Sequence, residues 1–139
     1  MKTKILTIAM AILTLLCLVS CAESTDTDLL WEDALYTEDT ELGEGSKTVQ
    51  VEVKAGEKSV TLTIKTDAAI LGDALIAHGL VEGDQGAYGL YIKKVNGITA
   101  DYDVDKSYWG FYQNGEYMIT GVDGTEFADG ERYELVYTK

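Results

Sequence analysis

The sequence predicts an α+β domain, a mixed sheet built from β-hairpins with one packed helix. Three observations carry that expectation. Val49, Val51 and Val53 alternate with polar residues, and so do Val60, Leu62 and Ile64, the period of two that half-buried strands require. Asn96-Gly97 and Asn114-Gly115 each separate two alternating segments, and Asn-Gly is favoured in two-residue hairpin turns because both central positions need positive φ. One stretch alone, Ala68 to His78, carries a helical period, with Leu71, Ala74, Leu75 and His78 on one stripe.

Taken in order, Val49–Val53 and Val60–Ile64 form a first hairpin across the turn Ala55-Gly56-Glu57. Asp67 is a suitable N-cap for the helix, since its carboxylate can accept from free amides of the first turn, and Gly79 is a suitable C′ stop. Tyr88 to Val95 reads as a strand that returns over Ile98 to Tyr102. Tyr108 to Gln113 reads as another, returning over Glu116 to Thr120, and Arg132 to Thr138 closes the domain. A hairpin, a helix, two hairpins and a closing strand make a layered arrangement of the β-grasp kind.

The chain has 139 residues, a length that suits one domain, and its 46% apolar content is enough for a core. Twenty-four acids against eleven bases give a formal charge of −13. That balance argues against nucleic acid, whose phosphates need Lys and Arg, and against adsorption on anionic headgroups. A neutral, cationic or apolar partner remains.

At the start, Met1-Lys2-Thr3-Lys4 is a short basic stretch and Ile5 to Val19 carries no charge, the pattern of a signal peptide. Leu18-Val19-Ser20-Cys21 resembles a bacterial lipobox. The resemblance implies cleavage before Cys21 and a diacylglycerol on its thiol, with acyl chains contributing ~0.8 kcal/mol per buried CH₂. Residues 1–20 are then a lipoprotein signal peptide. Residues 21–46 form an acidic tether, rich in Asp and Glu and without a base, and 47–139 form the folded domain. Leu29, Leu30, Trp31, Ala34 and Leu35 interrupt the acidic segment, either as a transiently ordered piece of linker or as a helical turn or two that docks. The expected location is the cell surface of a Gram-positive bacterium, on the outer face of the cytoplasmic membrane.

Catalytic chemistry is thinly represented. Cys17 leaves with the signal peptide, Cys21 carries lipid, and His78 is the one histidine, placed where a helix dipole favours a cation. No nucleophile elbow, P-loop or H-E-x-x-H occurs, so no enzyme is expected. Asp101, Asp103 and Asp105 have the alternate spacing that opens a calcium loop, yet Lys106 stands where such a loop needs Gly and Tyr112 where it needs Glu. A weak calcium site completed by other loops and a plain solvated loop are both open. Aromatic residues concentrate at Tyr102, Tyr108, Trp109, Phe111, Tyr112 and Tyr117. On a strand, Tyr108, Gly110 and Tyr112 share one face and Trp109 and Phe111 the other. One face is core, and the other offers rings to a flat ligand or a protein.

The ordered set Thr66-Asp67, Leu71-Gly72-Asp73-Ala74-Leu75, Tyr88-Gly89-Leu90-Tyr91-Ile92, Tyr108 to Gly115, Gly121-Val122-Asp123 and Asp129-Gly130 resembles the DUF4430 family, the transcobalamin-like C-terminal domain of bacterial surface lipoproteins. The likeness covers about 47–139, and Tyr108 to Gly115 is its most specific part. It implies a β-grasp-like fold. In transcobalamin and intrinsic factor the similar domain closes over one face of cobalamin, with a helical barrel domain, not found in this sequence, on the other. Carried over residue by residue, the resemblance nominates Tyr108 and Trp109 as ligand contacts. The expected function is therefore a non-catalytic, lipid-anchored binding module for cobalamin, another corrinoid or a similar flat ligand, handed on to a membrane transporter. The alternative is a surface protein-interaction or adhesion module, with or without calcium.

Overall fold

The computed structural model describes residues 26–139; the expected signal segment 1–20 and the expected lipidation site Cys21 lie outside them. The elements run α1 (Asp26–Trp31), β1 (Thr40–Leu42), β2 (Lys47–Ala55), β3 (Lys58–Thr66), α2 (Leu71–Ala77), β4 (Val81–Gly86), β5 (Gly89–Val95), β6 (Ile98–Thr99), α3 (Tyr102–Asp105), β7 (Tyr108–Gln113), β8 (Glu116–Tyr117) and β9 (Arg132–Thr138). A 3₁₀ turn at Val122–Gly124 precedes β9.

The expected first hairpin is β2–β3, antiparallel, with Val51 opposite Leu62 and Val53 opposite Val60. β9 enters beside β2 in parallel, and β7 lies antiparallel to β9, giving a six-stranded mixed sheet in the order β1-β3-β2-β9-β7-β8. Alternation places Val49, Val51, Val53, Leu62, Ile64, Tyr133 and Leu135 on one face, all at 1% exposure or less. α2 adds Leu71, Ala74 and Leu75 to the same core. The α+β class and its β-grasp arrangement follow from the pattern as expected.

Four details depart from expectation. The strands form two sheets, because β5 pairs with β4 and the short β6 and not with β7. The run Val81–Gly86 has no strand-like alternation, and it becomes β4 because Gly83 lets its backbone lie against the Tyr91 carbonyl where a Cβ would clash. The helix is shorter than expected, and Asp67 does not cap it. The Asp67 carboxylate accepts from the backbone and hydroxyl of Ser46, while the Leu71 amide donates to the Thr125 carbonyl at 2.8 Å. The return strand after Gly97 stops at Thr99, since Asp101 caps α3 and Lys106 turns the chain with φ of +65°.

The acidic segment is not an extended tether over its described part. Trp31 is 6% exposed, and its indole Nε1 donates to the Ala55 carbonyl at 2.9 Å. β1 pairs in parallel with β3, Thr40 opposite Leu62. The apolar cluster that interrupts the acids is what docks the segment, because burying an indole outweighs the self-repulsion of carboxylates left in water.

Candidate functional site: an aromatic groove

β7 settles which of its faces is core. Trp109 is 8% exposed, donates through Nε1 to the Ile98 carbonyl at 3.2 Å, and meets Tyr137 edge-on at 5.7 Å between ring centroids. Phe111 stacks on buried Tyr133 at 5.5 Å. Tyr108 is half-buried opposite Thr138 on the outward face, and Tyr112 folds its ring against Gly110 there.

Beside this strand lies a groove of about 510 Å³. Trp109 and Phe111 reach its floor, Leu90, Tyr91 and Ile92 of β5 form one wall, and Tyr117 to Gly121 form the other, with Tyr102 and Tyr108 at one end. Both residues nominated from sequence are therefore in the lining, but Trp109 is mainly a core residue whose edge is presented. The exposed contact area comes from Tyr117 at 63%, part of the aromatic concentration seen in the sequence, and from Tyr91 at 47% and Ile119 at 99%, which were not nominated as contacts. Among the described residues, no charged side chain lines the groove. The walls are tied together by Asp123, whose Oδ2 accepts from the Leu90 amide at 2.9 Å. A groove of this kind offers ring area and tyrosine hydroxyls to an occupant.

The aspartate run does something other than converge on a cation. Asp101 Oδ1 accepts from the Asp103 amide at 3.0 Å and so caps α3. Asp105 accepts from the hydroxyl and backbone amide of Ser107, which hold its carboxyl below the usual range, with Lys139 3.5 Å away. Asp103 is exposed. Among the described residues, no group of three or more His, Cys, Asp or Glu side chains is arranged to hold a metal ion. Alternate spacing brings ligands together in a loop or along one face of a strand, and here it falls on a helical turn, where residues i and i+2 diverge.

Residues 68–139 match the family model DUF4430, a domain of unknown function. Among solved structures, a proposed metal binding protein from Ruminococcus gnavus is 35% identical, with 68% of this chain and 98% of that one covered and a TM-score of 0.64. Haptocorrin in complex with Cbi is 19% identical, with 70% of this chain covered and a TM-score of 0.52, a likeness of fold alone. This chain spans 26% of haptocorrin's length. No curated protein matches. With the family model across more than half of the sequence, and a 35% identical structure covered almost end to end, this chain belongs to the DUF4430 family.

Proposed function

We propose that this chain is a non-catalytic, extracytoplasmic binding module, anchored by lipid on Cys21, that takes a flat ligand of the corrinoid class in the aromatic groove. The observation that carries the reading is the lining itself: tyrosines at 91, 102, 108 and 117 around an apolar floor, with no charge. Such a surface favours a broad ring system with hydrogen-bonding substituents at its edge. The acidity of the whole chain, at −13, disfavours anionic ligands. Haptocorrin's complex with Cbi is consistent with a fold that can present such a face.

The test is calorimetric titration of residues 22–139 with cobinamide and with cobalamin. Saturable one-to-one heat is expected, and heat that is absent up to millimolar ligand overturns the reading. A second reading, a surface protein-interaction module, is favoured by Tyr88 and Ile119, which stand fully exposed at 101% and 99%. Capture of a surface protein by the wild-type domain but not by Tyr88→Ser or Ile119→Ser variants supports it.

A further inference from the structure

With lipid on Cys21, as proposed above, the docked N-terminal segment limits how far the domain can stand from the bilayer. Five peptide units separate Cys21 from Asp26, the first residue of α1. Fully extended, they reach about 17 Å at most. From Asp26 onward there is no slack. The Thr27 hydroxyl accepts from the Glu57 amide, Asp28 holds Lys58 at 2.6 Å, Trp31 is buried, and the segment continues into β1. A 26-residue acidic spacer would have held the domain away from the membrane; the folded chain leaves only a short leash.

We propose that the pole formed by α1, the β2–β3 turn and α3 rests on the bilayer that carries the Cys21 lipid. This inference depends on the lipid-anchor reading but not on the corrinoid reading. The pole is continuous, since Asp26, Leu29, Gly56, Asp105 and Lys139 line one depression. It offers apolar tips at Leu29 and Val104, 54% and 80% exposed, and an aromatic ring at Tyr102. Lysines stand among them. Lys58 and Lys139 are paired with Asp28 and Asp105, and Lys106 Nζ lies 4.8 Å from the Tyr102 ring centroid. Apolar tips, a tyrosine and flexible lysine stems suit the headgroup boundary, where the stems lie flat and the ammonium groups stay wet.

Asp26, Glu57 and Asp103 are on the same pole and would be repelled by an anionic surface. The contact is thus imposed by chain length and not by net charge, and it persists at high salt. β7 runs away from this pole, from Tyr108 opposite Thr138 to the turn before Glu116, a distance of about 20 Å.

The experiment uses the full chain, expressed with its N-terminal segment and reconstituted in phosphatidylcholine vesicles that contain a headgroup-nitroxide lipid. Val104→Cys and Glu116→Cys variants each receive a thiol-reactive fluorophore; the lipidated Cys21 has no free thiol, and residues 22–139 contain no other cysteine. Loss of emission at position 104 with none at 116, in low and in high salt, is the expected result. Equal quenching at both positions, on protein whose mass includes the diacylglyceryl group, overturns the orientation and leaves the anchor standing. Protein whose mass lacks that group overturns both. Protection of the 104 label in lipid-free detergent that grows with protein concentration assigns the pole to a second copy and also overturns the proposal.

Discussion

Asn96 and Tyr36 exchange two hydrogen bonds across sixty positions of sequence: the Tyr36 amide donates to Asn96 Oδ1 at 2.9 Å, and Asn96 Nδ2 donates to the Tyr36 carbonyl at 2.8 Å. Asn96 is fully buried, sits at φ of +50°, and its own carbonyl accepts from Leu35 at 2.9 Å. Its neighbour Gly97 has φ of +81°, and a Cβ there would clash with the Asp33 carbonyl. The hairpin turn that joins β5 to β6 is thus also the latch for the N-terminal segment, and each of its two residues is needed twice.

Asn96→Gly keeps the left-handed backbone but removes both side-chain bonds. The Tyr36 amide and carbonyl then lose partners in a half-buried position, which costs about 1–3 kcal/mol. Urea unfolding is expected to show a loss in that range, with faster amide exchange at residues 33–36. A loss well under 1 kcal/mol would mean that water enters and replaces the amide.

Trp31→Ala tests whether the segment belongs to the fold. The indole is packed in the core cluster and bonded to Ala55, so truncation is expected to cost about 3–5 kcal/mol. A free tether would lose nothing measurable on thermal or urea unfolding.

The hairpin β2–β3 was readable because each residue of its alternation serves one face, and local period and tertiary burial agree there. β4 was not, since Val81-Glu82-Gly83-Asp84-Gln85-Gly86 is a strand only by virtue of its partner. The docking of Trp31 was visible as an apolar cluster among acids, but its partner, the Ala55 carbonyl, lies twenty-four positions away and leaves no local signal. The groove shows the same division. Tyr108 and Trp109 stood out by density of rings, whereas Tyr91 reaches the site from the second sheet, an approach that no spacing encodes. Asp101, Asp103 and Asp105 show the converse: a familiar spacing fell on a helical turn.

The capped arrangement of those aspartates predicts indifference to calcium. Asp101 and Asp105 spend their carboxylates on the amides of Asp103 and Ser107, and a cation would have to displace these bonds. Thermal midpoints in millimolar calcium and in chelator are expected to coincide. A midpoint several degrees higher in calcium would show that the run rearranges around the ion.

Tyr133 predicts a loss of stability in alkali. Its side chain is 1% exposed, and its hydroxyl donates to Glu131. Burial first, and the Glu131 bond second, push its pKa far above the ordinary tyrosine value. The unfolded chain ionises near pH 10 while the folded chain keeps its proton, so the unfolded state binds fewer protons above that pH. The stabilisation is fully present below about pH 10 and is lost as pH rises toward the folded value, at up to about 1.4 kcal/mol per unit. Tyr133→Phe is expected to flatten this part of the slope when urea unfolding is compared between pH 9 and pH 11, and an unchanged slope would assign the effect to other groups.

The groove predicts that stability and affinity separate between its floor and its lip. Trp109 is a floor residue held by Ile98 and Tyr137, so Trp109→Ala is expected to cost about 3–5 kcal/mol of stability whatever it does to binding. Ile119 touches little of the protein at 99% exposure, and Ile119→Asp is expected to leave stability within about 0.5 kcal/mol. The same change puts a carboxylate against any apolar ring system in the groove, and weakens cobinamide binding at least about tenfold, or 1.4 kcal/mol. Calorimetry and urea unfolding on the two variants decide the matter together. If Ile119→Asp binds like wild type, the ligand does not reach this lip, and the exposed residues at 117 and 119 belong to a protein contact.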